Sequence, residues 1–338
     1  MKRGIGTYQS KKVLNVSGLP NMIFTFLICV ACWYIGYTNK LGFPVQRNSD
    51  TSLFWDYICT WLNDINFTFL VGFLLLLLGA ALLQRFNFRF VIIRGKTTLP
   101  FLLFLLLNSI NPDFYPVRPI SLAIFPLFFA LFELFSAYQN PAATGRMFNM
   151  MFYLVAGSLI WPYLLWFIPV IGIGMYQFRI LNVRTFSATL LGFFTVCWFV
   201  LGWCIWKHDF SIFTNFFHCL TAIQLFFFSK SWLIGWLMPF CVFFMMIVLL
   251  IYIIVQESEN TIRTRHFLSF LFLFSMVAFM LSLLYASNAT DFVCVFYLPV
   301  SIMMSYFLSD KKKITPFLIY YLLIAILVIL LIVRLWNI

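Results

Sequence analysis

The chain has 338 residues, of which 63% are hydrophobic and only 9% charged, with a mean hydropathy of +0.98. No soluble core of this length needs so much apolar surface, so a water-soluble globular protein is excluded. The formal net charge of +12 would suit nucleic acid, but the basic residues sit in short segments between apolar runs, which is a topology pattern, and no nucleic-acid partner is expected.

In chain order, residues 1–20 form a basic tail, and the apolar run that follows is expected to stay as an anchor at 21–38. Further spans are expected at 66–84, 99–110, 118–137, 187–206, 231–254, 266–286, 292–308 and 315–333. These runs are solid rather than alternating, so they read as helices and not as barrel strands. Segment 149–177 must leave one side and return to it within 29 residues, whereas two full spans need about forty. Pro162 and Pro169 interrupt it, which predicts a hairpin of two short, broken helices buried by their neighbours. The fold class is therefore all-α: a polytopic membrane protein with about 11 transmembrane segments, counting the hairpin as two, in one integral domain over 1–338.

With the N-terminus inside, sixteen Lys and Arg fall in inner segments and six in outer ones. That bias orients the chain with its tail in the cytoplasm and its C-terminus outside. Asp50, Asp56, Asp64, Asp113, Asp209 and Asp291 then fall outside, and the first three share the loop 39–65. The stretch "SLFWDYICTWL" in that loop has apolar residues at helical spacing, as a surface helix would, with Trp55 and Trp61 at headgroup level. Asp50 and Asp56 would then stand where a lipid headgroup meets the protein. Single Asp residues also serve as caps and turn formers, the ordinary use for Asp113 in "NPDFYP". Arg47 and Arg118 are the cations on neighbouring outer loops, and Arg118 in "YPVRP" is framed by prolines. His208, Asp209 and His218 form a second polar cluster. Two His ten residues apart with one Asp fall short of a metal geometry, so His208 is kept only as a candidate substrate contact. Cys29 and Cys32 lie inside the first apolar run, where a redox or metal role is not expected; Cys59 and Cys219 both fall in outer segments, but nothing in the sequence supports a disulfide between them.

The order of parts resembles the GT-C superfamily, the multi-span glycosyltransferases that use polyprenyl-phosphate sugars. The matching blocks are a first span, an outer loop with a surface helix and acids, the basic turn "QRFNFRFVIIRGKTT", and the short span "LPFLLFLLLNSINP". The hairpin "YLVAGSLIWPYLLWFIPVIGIGMYQFRILNVRTF" and the late "DFVCVFYLPVSIMMSYFLSDKKK" also match. The same blocks resemble a group of short bacterial membrane proteins of about this length. The resemblance covers most of 20–313 and rests on the order of hydrophobic blocks. It implies sugar transfer from a polyprenyl-phosphate donor at the outer face of a bacterial cytoplasmic (inner) membrane, in building the cell envelope. Asp50 and Asp56 would be the candidate bases, and Arg47, Arg118 and His208 the substrate contacts. No cofactor is called for by the residues, although some enzymes of the class use a divalent metal. The chain departs from the class in lacking adjacent paired acids, since Asp50 and Asp56 are six apart. Two further functions fit the composition: a non-catalytic membrane subunit of an envelope assembly complex, and a lipid or polysaccharide transporter or polymerase. Transport is disfavoured by the lack of a repeat and by Glu133 being the sole acid within a span.

Overall fold

A computed structural model describes residues 18–43, 45, 55–93, 97–115, 117–208, 210–224, 230–255, 261–309 and 315–336. No strand occurs among them; one isolated bridge joins Gln224 to Tyr285. The helices are α1 (Leu19–Thr38), α2 (Trp55–Trp61), α3 (Ile65–Phe90), α4 (Leu99–Ile110), α5 (Pro119–Ser136) and α6 (Thr144–Ser158). Then come α7 (Ile168–Gln177), α8 (Val183–Lys207), α9 (Ser211–Thr221), α10 (Lys230–Val255), α11 (Ile262–Leu284), α12 (Ala289–Leu308) and α13 (Thr315–Trp336). Six stretches are long and apolar enough to cross a membrane: Pro20–Thr38, Ile65–Phe90, Pro119–Ser136, Val183–Lys207, Ile262–Leu284 and Ala286–Leu308. The chain is a helical membrane protein.

Local chemistry sets the helix starts. Proline stands in the first turn of α1, α4, α5 and α7, where its missing N–H costs nothing. Asp64 caps α3 by accepting from Asn66 N at 3.2 Å. Asn182 and Thr185 cap α8 reciprocally, Thr185 N donating to Asn182 Oδ1 at 2.7 Å and Asn182 N to Thr185 Oγ1 at 2.9 Å. At the end of α3, Val91 turns left-handed and its N–H donates to the Asn87 carbonyl at 2.8 Å, while Ile93 N donates to Asn87 Oδ1 at 3.1 Å.

The spans differ from expectation mainly at their ends. Helix α3 continues to Phe90, so Arg85 and Arg89 lie on its last turns rather than in a loop. Helix α9 was not anticipated at all. The 149–177 segment is broken as expected. Helix α6 stops at Ser158, Pro162–Phe167 form a 3-10 turn, and α7 restarts at Ile168. At about 1.5 Å per residue the two helices are roughly 22 and 15 Å long, each short of the ~30 Å of hydrocarbon.

Helices α4 and α12 form the centre, and every residue of α4 but Phe101 is buried. Around them the ends alternate. One end gathers the C-termini of α1, α4, α8 and α11 with the N-termini of α3, α5 and α12. We call it the Arg118 end, and the other the Arg146 end. At the Arg146 end Phe90, Phe135, Phe178, Phe267 and Tyr138 pack ring against ring, edge to face or tilted, and tie α3, α5 and α11 to the end of α7. At the Arg118 end Tyr57, Trp61, Trp166, Trp203 and Trp206 are exposed, and Lys207 sits 5.5 Å over the Trp203 ring. That is the aromatic girdle of a membrane interface.

Helices α6 and α8 meet through a glycine. A Cβ on Gly192 would stand 2.5 Å from the Phe148 carbonyl oxygen, a backbone atom that cannot swing away, whereas one on Gly202 would meet nothing within 4 Å. Gly192→Val should therefore lower the thermal stability of the purified protein in detergent, by roughly 1–3 kcal/mol. Gly202→Val should leave it nearly unchanged, and equal melting curves for the two variants would contradict this packing.

Candidate functional site at the Arg118 end

The chain between α4 and α5 is short and stiff. Pro112–Phe114 make a 3-10 turn, and Tyr115 hydrogen-bonds to the Ser109 carbonyl. Arg118 is extended (φ −126°, ψ 162°) and caps α5, its N–H donating to Ser121 Oγ at 3.2 Å. Its side chain reaches across the bundle. Arg118 Nε donates to Asp291 Oδ1 at 2.5 Å, the one salt bridge among the described residues. The Asp291 side chain is 2% exposed and that of Arg118 25%. Asp291 lies in the first turn of α12, where the helix dipole favours a negative charge. A carboxylate buried this far needs its cation.

Side chains from three connections surround the pair. Asn288 Nδ2 donates to Tyr163 Oη at 2.9 Å, joining the start of α12 to the hairpin turn. Tyr163, Trp161, Tyr285 and Phe292 pack with ring centroids 4.9–5.7 Å apart. Trp161 Nε1 is buried without a hydrogen-bond partner among the described residues. Tyr285 donates to the Leu220 carbonyl, and Ala286 N to Gln224 O at 2.9 Å, which pins the end of α9 against the α11–α12 turn. Burial pushes the Tyr285 phenol above its usual range, so it remains a neutral donor.

Beside Arg118 the surface turns apolar. Trp55, Cys59 and Leu62 cluster with Val117, so the surface helix α2 docks on the residue preceding Arg118. A groove of about 340 Å3 opens there, walled by Tyr57, Ile58 and Trp61 of α2, Phe67, Val71 and Leu75 of α3, and Val117 and Leu122 on either side of Arg118.

The sequence-derived candidates fare unequally. Arg118 stands at the site, but its carboxylate is Asp291, which sequence reading placed in an outer loop and did not select. Helix α12 starts at Ala289 rather than 292, and this puts Asp291 inside the bundle. The missed signal was an acid abutting a solid apolar run, a place where a charge is kept only with a partner. Asp50 and Arg47 lie outside the described residues, as does Asp209. Asp56 is on α2, one residue after the buried Trp55, and its side chain is not among those described. His208 is the exposed left-handed cap of α8. No group of three metal-binding side chains occurs among the described residues. Cys59 and Cys219 are buried on separate helices, α2 and α9, and no disulfide joins them.

Comparison with known protein families, with curated proteins and with solved structures finds no match for this chain.

Asp291→Ala should remove about 1–3 kcal/mol of stability by taking this partner from Arg118, whose side chain is only partly exposed. Replacing both, Arg118→Leu with Asp291→Leu, should restore much of it. Unfolding of the purified variants in a denaturing detergent series measures this, and additive losses in the double variant would show that the pair is not coupled.

Proposed function

We propose that this protein is a GT-C-like membrane glycosyltransferase that takes a sugar from a polyprenyl-phosphate donor at the outer face of the cytoplasmic membrane. The observation that carries this reading is the position of Arg118. It is a cation braced by a buried carboxylate, flanked on both sides by residues of an apolar groove at the aromatic girdle. A lipid chain fits the groove chemically, and its phosphate would meet the guanidinium at the groove's rim. Arg presents a planar fork of donors suited to phosphate oxygens, and Asp291 fixes the orientation of that fork.

In the proposed reaction an acceptor hydroxyl attacks the anomeric carbon of the donor sugar. The bond from that carbon to the acceptor oxygen forms as its bond to the phosphate oxygen breaks. The hydroxyl proton passes to a carboxylate, Asp50 or Asp56, and the electron pair leaves on the polyprenyl phosphate, whose charge Arg118 stabilises. Docking of α2 against Val117 supports giving Asp56 this role, because its helix adjoins Arg118. Asp291 is not the base, since its carboxylate is buried and engaged by Arg118. The orientation follows from basic residues. The Arg146 end exposes Arg85, Arg89, Arg146, Arg179, Arg184 and Arg263, as a cytoplasmic side does.

Two measurements test this. A cysteine at position 48, in a background without other reactive cysteines, should react with an impermeant reagent from the outer side only; reaction solely from the cytoplasmic side would reverse the orientation. In a purified assay with a polyprenyl-phosphate hexose, Asp50→Asn or Asp56→Asn should cut transfer by about a hundredfold or more. Arg118→Ala should weaken donor binding, and Arg118→Lys should restore it only in part. Full activity in both Asp variants would remove the proposed base.

A further inference from the structure

The groove beside Arg118 has a neighbour inside the bundle. A second cavity, of about 40 Å3, lies between α3, α4, α5 and α12, and its wall includes Gly72, Asn108, Ser121 and Cys294. Leu75 lines both spaces. It is only half-buried, and on its outer side it packs with the Trp55–Val117 cluster. Gly72, one turn before it on α3, places no side chain behind it.

The inner cavity has a polar end. Asn108 is 2% exposed, and its Nδ2 donates to the Phe104 carbonyl at 2.8 Å. Its Oδ1 has no hydrogen-bond partner among the described residues. A buried carbonyl oxygen without a donor is costly, so a donor belongs in this space. The volume is small but admits a water or a hydroxyl. The position is equally specific. Ser121 is the residue that accepts from Arg118 N, and Cys294 lies one helical turn beyond Asp291 on α12. The orphaned carbonyl therefore lies in the same α4–α5–α12 junction as the ion pair.

We propose that the groove and the cavity are one lateral passage, closed by Leu75, through which an amphiphile in the bilayer extends a hydroxyl to Asn108. Its apolar chain stays in the groove between α2 and α3, its anionic group meets Arg118, and the hydroxyl displaces a water from the inner cavity. Leu75 is the gate, because it is the residue that the two linings share. The identification of the amphiphile as a sugar-bearing polyprenyl phosphate rests on the function proposed above. The passage itself rests on the two cavities and the unpaired carbonyl.

The test uses the full chain in nanodiscs of neutral phosphatidylcholine and a polyprenyl-phosphate hexose with a diazirine near the phosphate end of its chain. Photolabelling mapped by mass spectrometry should fall on α3 around Val71–Leu75 and on Leu122. Leu75→Trp should reduce labelling several-fold and Leu75→Ala should increase it. Asn108→Leu, which fills the cavity and removes the acceptor, should weaken probe binding by about tenfold without lowering thermal stability. Arg118-end labelling that is unchanged in folded Leu75→Trp and Asn108→Leu variants would overturn the passage. So would equal competition by neutral diacylglycerol, which would mark the groove as holding ordinary bilayer lipid. Labelling that follows these variants while no transfer product forms would uphold the passage and remove the transferase reading. Transfer that proceeds with labelling indifferent to both variants would do the reverse.

Discussion

A carboxylate at the centre of an apolar bundle is tolerated only with a cation in contact, and this constraint organises the Arg118 end. Asp291 occupies the first turn of the most buried long helix, α12, where water does not compensate its charge. Arg118 has to reach it, and so the α4–α5 connection is short, proline-framed and folded inward. Once that connection is held, Val117 is presented outward as the seat for α2, and Ser121 is turned toward the junction with α4. The ion pair thus sets the position of the surface helix on one side and of the inner cavity on the other. Its contribution to net stability is secondary to this registration, since two well-packed apolar side chains could hold the same helices together.

The remaining packing follows from helix length. Helix α4 and the two helices of the hairpin are too short to match the bilayer; α4 is buried, α6 packs between α5 and α8, and α7 lies against α11 with Ile173 and Tyr176 left exposed. Their polar backbone ends fall at depths where lipid would leave them unsatisfied. The turn between α6 and α7 is accordingly closed with aromatic rings and with Asn288, while the opposite end of α7 is held by the Phe135–Phe178–Phe267 cluster. Glycines appear where these short pieces touch long ones. Gly157 lies against Pro126 and Leu164, and Gly174 against Phe270.

Much of this was legible in the sequence because the signals are local. Pro100, Pro119, Pro162 and Pro169 mark helix starts and the hairpin break directly, and the Lys and Arg residues separate the apolar runs. The pairing of Arg118 with Asp291 was not legible, because 173 positions separate them and no local pattern encodes which distant acid a cation meets. The burial of Asp291 depended on three residues of helix extension, within the usual uncertainty of a helix boundary. Helix α9 was missed because "SIFTNFFHCLT" is brief and mixes aromatic with polar residues, and its shape comes from Tyr285 and the α11–α12 turn rather than from its own pattern. The unpaired oxygen of Asn108 has no sequence signature, since an Asn at the end of an apolar run looks the same whether or not a neighbour satisfies it.

The hairpin carries a consequence for synthesis. Its two helices are completed before α11 and α12 exist, yet their closing contacts come from those later helices: Phe274 stacks on Phe167, Phe270 covers Gly174, and Asn288 holds Tyr163. A chain emerging from the ribosome therefore presents two half-length helices with an aromatic turn before their housing has been made. The packing of the hairpin is complete only when residues beyond Ile262 arrive. The order of assembly in this bundle is thus not the order of translation.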